Sequence, residues 1–135
     1  MGAPAWAERI VREVARARRR PAPILRWRRA RTRRSAGSAH SHLQENGSVS
    51  IAAGRDPVDQ RLVLCHELAH WLSAPDEGHT QTFWSRAWKL YRRYRVPIHY
   101  ALVREGQYEG AVQAYRAQLR KSRSSATGRN SRKPR

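Results

Sequence analysis

Val63-Leu64-Cys65-His66-Glu67-Leu68-Ala69-His70-Trp71-Leu72 is the stretch whose reading decides the rest of this chain. His66 and His70 stand four residues apart, so on an α-helix they leave the same face one turn apart. Two imidazoles stacked in that way can offer nitrogens to one Zn²⁺ at about 2.0–2.1 Å. Glu67 is beside the first of them, placed to reach a metal-bound water without ligating the ion. This is the H-E-x-x-H pattern, in which the glutamate acts as general base in peptide hydrolysis. The flanking Val63, Leu64, Leu68, Ala69, Trp71 and Leu72 are apolar, and Glu67 is the one carboxylate inside the motif. Such a helix is buried on nearly all sides, with its histidine face open to a cleft. A plain core helix would leave two imidazoles and a carboxylate in need of buried partners, a costly arrangement.

A third ligand is required, and His79 is placed to supply it. The helical pattern ends at Ser73-Ala74-Pro75, because proline disfavours helix before it and lacks an N–H. Asp76-Glu77-Gly78 reads as a turn, and a short loop can swing His79 back over the His66/His70 face. Asp76 and Glu77 are carboxylates that also bind zinc, but they read better as acidic residues of a helix-start loop. Glu105 and Glu109 are the alternatives for a glutamate-ligated site.

Outward from the motif, Asp56-Pro57 opens its helix, with Asp56 as N-cap and Pro57 in the first turn. Before it, Asn46-Gly47 signals a tight turn, and Val49, Ile51 and Ala53 alternate as in a half-buried strand. Val49, Ser50, Ile51, Ala52 and Ala53 are therefore the candidate substrate-binding strand, an exposed edge with which an extended peptide can pair. Trp6, Ile10 and Val14 recur every four residues and predict an amphipathic N-terminal helix from Ala5 to about Arg18, stopped by Pro21 and Pro23. Ile24 to Arg34 is extended in character, and Ser35 to Ser41 reads as a small, polar connection. Downstream, Phe83, Trp84, Ala87, Trp88, Tyr91 and Tyr94 form an aromatic face on a helix from Thr80 to about Arg95. A further helix is expected from Glu109 to Leu119. Tyr91, Tyr94, His99 and Tyr100 are the candidates for stabilising an oxyanion, with packing the alternative for each.

The 135 residues suit one domain over 1–119, followed by a basic tail over 120–135. The tail has no large apolar residue and is expected to be disordered. The chain has 28 basic and 10 acidic residues, a net charge of +18. That charge is unevenly placed: +10 over Met1–Arg34, −4 over Ser35–Thr82, +4 over Phe83–Tyr115 and +8 over Arg116–Arg135. Basic ends flanking an acidic metal region suit DNA or RNA, whose phosphates supply most non-specific affinity. Cys65 is the single cysteine, which rules out an internal disulfide and fits a reducing compartment. There is no apolar run for a membrane span, no signal-peptide core, and Trp6 stands where a myristoylation signal has Ser or Thr. The expectation is a cytoplasmic monomer without membrane attachment.

The order of helix, strand pair, metal helix, turn with His79 and aromatic helix resembles the SprT-like and YgjP-like small zinc metallopeptidases. The resemblance rests on Arg33-Arg34-Ser35-Ala36-Gly37-Ser38 before the hairpin, Gly47-Ser48-Val49-Ser50-Ile51, His66-Glu67-Leu68-Ala69-His70, Gly78-His79 and Phe83-Trp84. It covers Ile24 to about Tyr94, and Ser35-Ala36-Gly37-Ser38-Ala39 stands where the group often has Trp-Gly-Ser-Cys. It implies an α+β, minimal zincin-like domain with a small antiparallel sheet or hairpin. It also implies a histidine opening the next helix as third ligand, and a protein or peptide substrate, in some members a DNA-bound protein. The expected activity is zinc-dependent endopeptidase, with His66, His70 and His79 on Zn²⁺ and Glu67 activating the zinc-bound water. The alternatives are a nucleic-acid-binding module with a structural zinc site, and a regulatory metalloprotease that cleaves one dedicated repressor.

Overall fold

A computed structural model describes residues 2–29, 37–40, 47–73 and 77–131. Within them the chain forms an α+β domain: α1 (Ala5–Ala17), β1 (Ile24–Arg29), β2 (Gly37–His40), β3 (Ser48–Ala53), α2 (Pro57–Trp71), α3 (Gln81–Arg93), α4 (Ile98–Glu105) and α5 (Glu109–Ser131). Asn46, Asp76 and Arg33 to Ala36, all used in the sequence reading, lie outside the described residues.

The sheet has the order β1-β3-β2, so β3 is its central strand. β3 pairs in parallel with β1, Leu25 facing Val49 and Trp27 facing Ile51. It pairs antiparallel with β2, Ala39 facing Val49 and Ser38 facing Ser50. Two expectations are corrected here. The sheet is mixed rather than antiparallel, because β1 reaches its place by a crossover and only β2–β3 form a hairpin. The small residues expected to be a connection contain a strand, Gly37–His40. Their lack of bulk hid it, since strand signals in a sequence come from β-branched and aromatic side chains.

Helix ends follow local chemistry. The Asp56 carboxylate accepts the Val58 N–H at 2.9 Å and Pro57 occupies the first turn, as the sequence reading expected. Thr80 caps α3 by accepting the Phe83 N–H at 3.2 Å. The core gathers Ile10, Val11 and Val14 of α1, Val49 and Ile51 of β3, the apolar face of α2, and Phe83, Trp84, Trp88 and Tyr91 of α3. The buried Trp88 indole donates to the Ala111 carbonyl at 2.9 Å and ties α3 to α5. α5 runs on to Ser131, so the backbone past Arg120 is helical rather than irregular. That stretch holds no proline, the residue that would break a helix outright. No helix among the described residues is long and apolar enough to cross a membrane.

Candidate metal centre

α2 buries Leu62, Val63, Leu64, Cys65, Leu68, Ala69 and Trp71, which leaves one half-buried strip carrying His66 and His70. After the helix ends, Gly78 takes a left-handed φ of 65°, a conformation open to glycine at little cost. That turn returns the chain so that His79, just ahead of the Thr80 cap, lies over the α2 strip.

His66 Nε2 and His70 Nε2 each lie 3.2 Å from His79 Nε2. These cannot both be ordinary hydrogen bonds from one neutral imidazole, whose Nε2 carries at most one proton. They do match the edges of a tetrahedron: an ion with nitrogens at about 2.0–2.1 Å sets them about 3.3–3.4 Å apart. The three histidines lie close enough together to bind one metal ion. Burial, then neighbouring imidazoles, lowers the His70 pKa to about 4, and the same causes lower that of His79. Both rings are thus held neutral, the form that ligates metals.

The rings are braced from outside. His70 stacks on Phe83 with centroids 4.2 Å apart, and His79 lies flat against Trp84 at 5.5 Å. On the far side of His66, Glu105 Oε2 is 3.0 Å from Nδ1, and the Tyr91 hydroxyl is 3.4 Å from the same atom. Glu105 is only 5% exposed. A carboxylate there fixes Nδ1 as the protonated nitrogen and aims the Nε2 lone pair at the other two histidines. Glu105 thus stands behind His66 and outside the three-histidine cluster.

Glu67 is 6% exposed on α2. Burial pushes its carboxyl up to about 7, opposed by His66 and reinforced by Glu105. A carboxyl poised there exchanges protons near neutrality. Glu77 is engaged elsewhere, accepting from the Thr80 hydroxyl at 2.9 Å and pairing with Arg86 at 3.3 Å. Glu109 accepts from Gln113 on α5. Of the oxyanion candidates, Tyr91 touches the back of His66, whereas Tyr94 donates to Glu13 and Tyr100 to Asp59. His99 is exposed on α4. Tyr108, which the sequence reading passed over, rests its ring 4.7 Å from that of His79. It follows α4, a helix whose short and broken apolar pattern gave no sign of its position.

The strand assigned to substrate is the central one of the sheet, so the exposed edge expected of it is absent over its first part. Val49, Ser50 and Ile51 are paired on both sides, by β1 and by β2, and Val49 and Ile51 are wholly buried. Ala52 is 6% exposed, and Ala52 and Ala53 pair with Arg28 and Arg29 of β1. Val49, Ser50 and Ile51, paired on both sides, therefore offer a peptide no free edge. The alternation that marked these residues as half-buried reports the core face and says nothing about which strands flank them.

Comparison with protein-family models, with curated proteins and with solved structures finds no match for the chain.

Proposed function

We propose that the protein is a zinc metallopeptidase that hydrolyses peptide bonds at the His66/His70/His79 centre. The observation that carries this reading is the pair of 3.2 Å contacts converging on His79 Nε2, with a buried Glu67 on the same helix. Neutral nitrogen ligands at tetrahedral spacing suit zinc, and three protein ligands are the number used by catalytic sites, which leave the fourth position open. A structural site is closed by four protein ligands, and no fourth side chain joins the three among the described residues. That disfavours the reading as a nucleic-acid module with a structural metal.

Zinc, when bound, supplies Lewis acidity: it acidifies a water and stabilises negative charge on the attacked carbonyl oxygen. The chain's own residues do the rest. His66, braced by Glu105, and the stacked His70 and His79 would hold the ion. Glu67 accepts the proton of the attacking water and returns it to the departing amine. Tyr108, whose ring lies 4.7 Å from that of His79, is the residue assigned in this reading to add a hydrogen bond on that side. β2 packs beside α2 at the rim of the sheet, and its outer edge is where an extended peptide would add a strand in this reading. The resemblance of the His66–His70 helix and the Gly78-His79 turn to SprT-like and YgjP-like enzymes supports the same assignment.

The test is cleavage of an unfolded protein by the zinc-loaded chain, analysed for new termini. Wild type should cleave, a chelator should stop it, and Glu67→Gln should retain zinc without cleaving. Undiminished cleavage by Glu67→Gln would remove Glu67 from its role. No cleavage by zinc-loaded wild type across a panel of unfolded proteins would count against the peptidase reading.

A further inference from the structure

On the other side of α2 is a cleft of about 750 Å³ that the peptidase reading leaves unused. Its walls come from α1, the start of α2 and the end of α3. Four arginines line it, Arg9, Arg61, Arg93 and Arg95, together with Glu13 and Tyr94. Arg61 precedes His66 by five residues and His70 by nine, which is about 140° and 180° around a helix. The cleft and the histidine strip therefore face away from each other across α2.

The charges in it are poorly matched. Glu13 is the one carboxylate lining the cleft, and it already accepts the Tyr94 hydroxyl at 3.1 Å. Four guanidiniums against one carboxylate leave three positive charges in a concave wall, where the field is focused. Arg61 Nε is buried with no hydrogen-bond partner, an orphan donor inside the protein. Arg95 sits at the left-handed position after α3 with φ 60°, where the Val96 N–H closes the helix onto the Tyr91 carbonyl. Glycine is the unstrained residue at such a cap, so an arginine there carries a local cost.

We propose that this cleft is a binding site for phosphate esters, gripped by the guanidiniums of Arg9, Arg61, Arg93 and Arg95. The planar fork of arginine matches two phosphate oxygens at once, as a cleft with three uncompensated guanidiniums requires. The size suits one nucleotide or a short stretch of a strand. Phosphates so held sit behind α2 and leave the histidine side open.

The probes are a labelled oligothymidylate followed by fluorescence anisotropy, and ATP as competitor. Arg9→Gln with Arg93→Gln, both at exposed positions, should weaken oligonucleotide binding roughly ten-fold or more, from the loss of charge-assisted hydrogen bonds. Arg116→Gln with Arg123→Gln removes equal charge from exposed sites on α5 and should change it by less than about two-fold. Arg95→Gly should weaken binding without lowering the melting temperature, which separates ligand contact from folding. Displacement by ATP at about one equivalent per chain identifies a free nucleotide as occupant; failure to displace identifies a strand. Equal losses in the cleft and α5 variants, or no loss in the cleft variants, would overturn the proposal. Zinc content should be unchanged in every variant, so that the outcome is independent of the metal centre.

Discussion

Glu67 shows how one carboxylate couples the centre to the fold. Without metal its pKa is about 7 against 4.5 for the free side chain, so the folded chain holds an extra proton between those pH values. Its burial therefore costs nothing below pH 4.5, and the cost is fully present above pH 7. Glu67→Gln in the metal-free protein should gain stability on the order of 1–3 kcal/mol at about pH 8 and nothing at about pH 4, read from melting temperatures at the two pH values. His70 works in the opposite direction, its pKa of about 4 removing stability as pH falls below about 6.5, but it is present in both chains and cancels. An equal effect of the substitution at both pH values would show that Glu67 is not ionising in a buried setting. Glu105 acts through His66. Glu105→Gln should lower zinc affinity roughly 10–100-fold in a chelator competition, while the metal-free chain melts close to wild type. At this scale the centre is legible in the sequence: spacing and one glycine turn single out His66, Glu67, His70 and His79. Glu105 stands out too, but spacing alone does not say whether it joins the histidines or lies behind His66, where the structure places it. Tyr108 escapes notice because only the turn after α4 brings it to His79.

The elements differ in how plainly the sequence announces them. α1, α2 and α3 follow from 3.6-residue periodicity and from caps, and their observed bounds fall within about two residues of the reading, as helix ends usually allow. The Asp56 cap can be tested alone: Asp56→Ala should cost about 1 kcal/mol and lower the melting temperature by about 3–5 °C. An unchanged melting temperature would mean that the 2.9 Å bond to the Val58 N–H contributes nothing net. The sheet is harder to foresee. Strand content is visible in Leu25, Trp27, Val49 and Ile51, but strand order is not, because pairing partners are set by chain crossings that no local pattern records. β3 thus stands at the centre instead of the edge, and the segment expected to be a linker holds the edge strand beside α2.

For the whole molecule, the +18 charge is concentrated toward the two ends of the chain. Half of the twelve N-terminal basic residues lie on α1 and β1, and the C-terminal share begins with the exposed Arg116 of α5. Seven basic residues follow Leu119. Ending the chain there should leave oligonucleotide binding in place but make its logarithmic salt dependence shallower, by up to about 0.7 for each single-strand phosphate no longer neutralised. Full affinity with an unchanged slope would take the C-terminal segment out of nucleic-acid binding, and complete loss would leave the α1–α3 cleft without a part in it. All of this surrounds one claim, that His66, His70 and His79 make a three-ligand zinc centre. Zinc per chain, measured by elemental analysis on protein purified without chelator, tests it most directly alongside single alanine variants of the three histidines. The account predicts one zinc per wild-type chain and a loss of most of it in each variant, His79→Ala included. A wild-type protein free of divalent metal, or a His79→Ala protein that holds zinc as tightly as wild type, would contradict it.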